Sequence, residues 1–89
     1  MKGLKEIRIV SMQRGISKKT GNPYLHTICK GIREDGSSIV KDFWIMDEKV
    51  MNQITEQGIQ EDDFVTFELG FDENFRTVIT DAFLEDKEN

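Results

Sequence analysis

Apolar and polar residues alternate along most of this chain, and clusters of turn residues divide the alternation into five strands and one helix. Ile7, Ile9, Val10 and Met12 mark a first strand over residues 5–14. Its apolar phase slips between Ile9 and Val10, the signature of a bulge. A polar loop over 15–23 precedes a second strand over 24–32. There Tyr24, His26, Ile28, Lys30 and Ile32 share one face, and Leu25, Thr27 and Cys29 the other. Glu34-Asp35-Gly36-Ser37 is a hairpin signal, because Asp-Gly supplies the positive φ of a tight turn.

A third strand over 38–45 sets Ile39, Lys41, Phe43 and Ile45 against Val40, Asp42 and Trp44, so one of Phe43 and Trp44 turns away from the core. Asp47 is placed to cap a helix through residue 57 that turns Val50, Met51 and Ile54 inward and stops at Gly58. Val65, Phe67, Leu69 and Phe71 share one face of a fourth strand over 63–71, and a turn at 72–74 leads to a fifth over 75–84. Five strands with a helix between the third and fourth predict a mainly β chain: an OB-like five-stranded barrel whose closure removes exposed strand edges. The domain spans 1–84, and 85–89 form a short acidic tail.

With 89 residues there is room for one domain and a shallow surface groove. A single cysteine, Cys29, excludes an internal disulfide and suits a reducing cytoplasm. No apolar run is long enough to span a membrane or to act as a signal peptide, so a cytoplasmic protein with no membrane partner is expected. The net charge of −5 argues against a polyanion partner when taken whole. Residues 1–41, however, carry a net +6 and residues 42–89 a net −11. A polyanion responds to local potential within about 8–10 Å, so the distribution outweighs the total.

Catalysis is not expected. Cys29 and the only histidine, His26, stand three apart in a strand and point to opposite faces. A zinc site needs more cysteine or histidine ligands, so neither a metal nor another cofactor is expected. The carboxylates fall in solvated runs, where shifted pKa values are unusual.

The informative stretch runs from Arg14 to His26. It places Arg14, Lys18 and Lys19 on or beside a glycine-containing loop, with Tyr24 as the next strand begins. Flexible cations follow phosphates, and an exposed ring offers a face to an unpaired base. The candidate nucleic-acid-binding residues are Arg8, Arg14, Lys18, Lys19, Tyr24, His26, Lys30, Lys41 and Trp44. Each also has a plainer reading: the lysine pair as a solvated loop tip, Tyr24 as a half-buried barrel residue, His26 as an ordinary strand residue.

In the order Arg14, Ser17, Lys18 or Lys19, Gly21, Pro23, Tyr24, the stretch resembles the small single-stranded DNA-binding proteins of filamentous phages. Asn22 stands where that family favours a cation. The resemblance implies phosphate contacts for Arg14 and the lysine pair, and base stacking for Tyr24. It also implies a homodimer that coats strands cooperatively, in replication or recombination of a phage or mobile element inside a bacterial host. An RNA strand presents the same phosphates and rings and belongs to the same expected partner class. The alternative is a protein-interaction module whose acidic half, including Glu61-Asp62-Asp63, docks a basic partner. A combined reading has the acidic tail recruit a replication protein.

Overall fold

The computed structural model describes residues 4–85. Five strands and one helix follow in the order β1 (Leu4–Ile16), β2 (Pro23–Arg33), β3 (Ser38–Ile45), α1 (Glu48–Gln57), β4 (Phe64–Phe71) and β5 (Thr77–Leu84). The expected slip in the first strand is present: the β1–β2 register shifts between Ile9 and Ser11. Asp47 caps α1 through Oδ1, which accepts from the amides of Lys49 at 2.8 Å and Val50 at 3.3 Å. Gly58 ends it in the left-handed conformation, φ 69°. That region is strained for a residue with a Cβ, which is why the helix stops there.

All strand pairs are antiparallel, and the sheet order is β3-β2-β1-β4-β5. The core forms on one side of this curved sheet from Ile9, Leu25, Cys29, Ile45, Val65, Ile79 and Ala82. Val50, Met51 and Ile54 of the amphipathic α1 cover it, with Phe43 and Phe67 packed at its margin in an edge-to-face contact of 5.7 Å. Leu25, Thr27 and Cys29 point inward as their strand parity requires.

The sheet does not close. Four successive antiparallel pairings leave β3 and β5 running the same way at opposite ends of the order, and no ladder joins them among the described residues. Part of the reason lies in α1. Gln53 and Gln57, one turn apart, occupy the free edge of β5 as a partner strand would. Gln53 Oε1 accepts from the Ala82 amide at 3.0 Å, and Gln57 Nε2 donates to the Ala82 carbonyl at 2.8 Å. Gln57 Oε1 accepts from the Leu84 amide at 2.8 Å. The upstream part of β5 faces β3 across an open cleft of about 770 Å³, with Phe43 and Ile45 on one wall and Thr77 and Ile79 on the other.

The fifth strand starts two residues later than the pattern predicts. Phe75 adopts φ 61° in the hairpin turn, where extended pairing is impossible. Asp72 organises that turn: its Oδ1 accepts from the amides of Asn74 and Arg76, both at 2.9 Å. Of the predicted tail only Glu85 is described, and it bonds to Thr66; residues 86–89 lie outside the described residues. No helix among the described residues is long and apolar enough to cross a membrane.

Candidate nucleic-acid interface

The outer face of β2, turned away from the core, carries Tyr24, His26, Ile28, Lys30 and Ile32. Cross-strand register decides what joins them. His26 lies opposite Trp44 of β3, and Thr27 opposite Phe43. Paired residues share a face, so Trp44 stands outward with His26 and Phe43 turns inward. The open choice between those two rings is thereby resolved, and Trp44 remains 56% exposed.

The outward rings form a row. Trp44 stacks on His26 with centroids 4.0 Å apart and planes 16° from parallel. Tyr24 flanks Trp44 at 5.4 Å, tilted by 56°. At the other end His26 Nε2 donates to Asp42 Oδ2 at 2.9 Å. That bond holds the Asp42 carboxyl below the usual carboxylate range. An ionised carboxylate only accepts, so Nε2 carries the hydrogen and the ring is fixed over Trp44.

Tyr24 is seated by the backbone of the neighbouring strand. Gly15 lies directly opposite it, and a Cβ built on Gly15 would stand 2.6 Å from Tyr24 Cζ. No side chain fits there while the ring keeps its place. Further along the face Arg8 of β1 lies directly opposite Lys30. Like charges in that relation disfavour the sheet unless an anion shares them. Arg8 is half-buried, its Nε is buried without a hydrogen-bond partner, and Phe64 of β4 stands opposite it on the other side.

Lys18 and Lys19 lie at the tip of the β1–β2 hairpin, beyond the Tyr24 end of the row. The hairpin is compact: the Ser17 amide donates to the Asn22 carbonyl at 2.9 Å, and the Gly21 amide to the Ser17 carbonyl at 2.8 Å. Gly21 holds φ 75° there, a left-handed conformation that glycine takes without steric cost.

Two sequence candidates leave this group. Arg14 pairs with Leu25 on the inner-face parity of β1, and its guanidinium donates to Thr55 Oγ1 of α1 at 2.9 Å. Lys41 has the parity of Phe43, with its Nζ 5.4 Å from that ring's centroid, and lines the cleft between β3 and β5. Lys41 stands three residues from Trp44, an odd step that puts it on the other face of β3, and the pairing of Arg14 with Leu25 puts Arg14 on the inner-face parity of β1. Tyr24, His26, Trp44, Lys30 and Arg8 do share one face. Gly15 and Asp42 belong with them and escaped the sequence reading. An Arg-Gly step across from an aromatic strand start was the available signal for Gly15, and the parity shared by Asp42 and Trp44 was the signal for Asp42.

Elsewhere the ionisable groups serve the fold. Asp81 is held below its ordinary pKa, first by Gln53 and then by Lys49, whose Nζ is 3.0 Å away. Asp72 is lowered by the backbone amides of its turn. Burial pushes the Cys29 thiol up to about 12, which leaves it protonated and inert at neutral pH. No three His, Cys, Asp or Glu side chains among the described residues gather closely enough to hold a metal ion.

No protein-family model, curated protein or solved structure matches the chain.

Proposed function

We propose that this chain is an OB-like, open-seamed barrel that binds single-stranded DNA, with little regard to sequence, along the outer face of β2 and β3, and that it catalyses no reaction. The observation that carries this reading is the coincidence, on one exposed face, of the Tyr24–Trp44–His26 row with the paired cations Arg8 and Lys30. Trp44 is left largely in water, and cations placed against each other do not help folding. Both features suit a ligand that has bases and phosphates. Lys18 and Lys19 extend the positive strip past the Tyr24 end, and the acidic residues gather mainly in the second half of the chain. Replication or recombination in a phage or mobile element, with the protein acting as a dimer in a bacterial cytoplasm, is the setting the motif resemblance suggests.

The test is a salt series with a fluorescent dT oligomer. For a single strand, log K falls with log salt at about −0.7 per phosphate contact. Replacing Lys18 and Lys19 together by alanine reduces that slope by up to about 1.4 if both lysines meet phosphates. Tyr24→Ala weakens binding by roughly 1–3 kcal/mol at every salt concentration. Wild-type affinity and slope in both variants would reject the face.

A further inference from the structure

β3 is a terminal strand of the sheet, and its outer edge is unguarded. Native proteins shield such edges with bulges, prolines or outward charges. Here the β2–β3 register runs without a shift, and the one lysine on the strand, Lys41, lies over the Phe43 ring. Ile39 and Val40 are 50% and 62% exposed on opposite faces, just upstream of the cleft to β5. The ladder fixes where the backbone groups point. The Arg33 amide donates to the Ser37 carbonyl at 2.8 Å, which marks that pair as a bonded one. Bonded and non-bonded pairs alternate. Ile39 and Lys41 therefore bond to β2, whereas the amides and carbonyls of Ser38, Val40 and Asp42 point away from it.

A second copy of this chain fits that edge. Two strands related by a two-fold axis pair antiparallel, and the central residue fixes every other partner. Centring on Lys41 or Asp42 sets like charges directly opposite each other. Centring further along runs the second strand into the cleft to β5, and centring on Ile39 leaves only Ser38 to Val40 paired. Centring on Val40 pairs residues 38–42. Val40 then meets Val40 of the second copy, Ile39 lies beside the stem of Lys41, and the Ser38 hydroxyl faces the Asp42 carboxylate as a donor. The outward amides and carbonyls of Ser38, Val40 and Asp42 all gain partners in that register.

We infer that two copies of this chain join through β3, antiparallel about Val40, into one continuous sheet. The axis stands perpendicular to the sheet, so both outer faces look the same way. Lys30 lies beside Val40 on β2, so the Arg8–Lys30 pairs of the two copies flank the axis, each with its own ring row. The pairing rests on the edge alone; only its extension of the binding face rests on the single-strand reading.

Sedimentation equilibrium of the full chain up to about 0.1 mM, which reveals any contact tighter than that Kd, gives a mass twice that of one chain. Val40→Pro removes an amide that the β2–β3 ladder does not use, and returns the monomer. Val40→Lys returns it by setting like charges opposite each other, and is decisive where the proline variant fails to fold. Circular dichroism checks that the sheet is intact. Mild oxidation reads the register. Val40→Cys cross-links, because facing residues of a bonded pair stand about 5.5 Å apart. Ser38→Cys does not, because its two copies lie four residues apart along the strand, about 13 Å. Cys29 is buried and takes no part. A monomeric wild type, a dimer that survives Val40→Lys, or equal cross-linking at both positions overturns the assignment. A dimer of this kind that does not bind dT12 leaves the pairing in place and removes the single-strand reading; a monomer that binds dT12 does the reverse.

Discussion

Replacing Gly15 by alanine tests the ring row without touching a ring. The added Cβ would lie 2.6 Å from Tyr24 Cζ, where carbon atoms ordinarily stand about 3.5–4.0 Å apart. Something must yield by about 1 Å. The strand backbones are tied by the β1–β2 ladder on both sides of the contact, whereas Tyr24 is only half-buried and its ring has solvent to swing into. The ring therefore leaves its seat. Loss of its contact with Trp44 costs the fold about 0.5–1.5 kcal/mol. Alanine's smaller backbone entropy loss on folding returns about 0.5–1 kcal/mol, so urea unfolding places the variant within about 1 kcal/mol of wild type.

Binding behaves differently. With the Tyr24 platform displaced, affinity for dT12 falls by the worth of one stacked base, roughly 1–3 kcal/mol or about 5- to 150-fold. Anisotropy titrations of Gly15→Ala, Tyr24→Ala and the double variant complete a thermodynamic cycle. Gly15→Ala adds nothing once Tyr24 is gone, since its whole effect passes through that ring. Equal losses in the wild-type and Tyr24→Ala backgrounds, or wild-type affinity in Gly15→Ala, would refute the seating of Tyr24 as the cause.

Three further outcomes follow from the same geometry. Replacing Gln53 and Gln57 by alanine removes the amide groups that pair with the β5 edge and costs about 2–6 kcal/mol in chemical denaturation, at about 0.5–1.5 kcal/mol for each of the four hydrogen bonds lost to β5. Asp42, Asp72 and Asp81 all have lowered folded-state pKa values, so their contribution to stability is complete above the unfolded value near 3.9 and is lost as pH falls through the lower folded values; NMR titration of Lys49→Met shows the Asp81 value moving back up part of the way, with Gln53 still holding it down. Ile54→Ala opens a cavity under α1, where Ile54 is almost fully buried, and costs about 2–5 kcal/mol by denaturation.

Much of the fold was legible because local chemistry and tertiary structure agree. Asp47 and Gly58 bound a helix whose inward residues Val50, Met51 and Ile54 are all buried. The phase slip at Ile9-Val10 marks a real register shift. Phe75 misled because a bulky residue occupies the left-handed turn position where glycine is usual, so the strand pattern ran straight through the turn. Closure was not legible either. The edge of β5 is covered by two glutamine side chains of the helix, a competition between amide groups that alternation along a strand does not encode.

The interface was legible in composition and only partly in arrangement. Tyr24, His26 and Lys30 share a face by parity within one strand, which the chain alone reveals. Placing the candidates Trp44 and Arg8 on that face, and removing Arg14 and Lys41 from it, required the registers of β2 with β3 and of β1 with β2. Those registers depend on a bulge and on hairpin lengths, which are properties of strand pairs.

Trp44 is the only tryptophan in the chain, so its intrinsic fluorescence reports from the middle of the proposed binding face. Titrating the folded protein with dT12 at low salt should quench that emission to saturation, and added salt should restore it as the strand dissociates. Unchanged emission through an excess of dT12, with circular dichroism showing the β-sheet intact, would contradict single-strand binding by the outer face of β2 and β3.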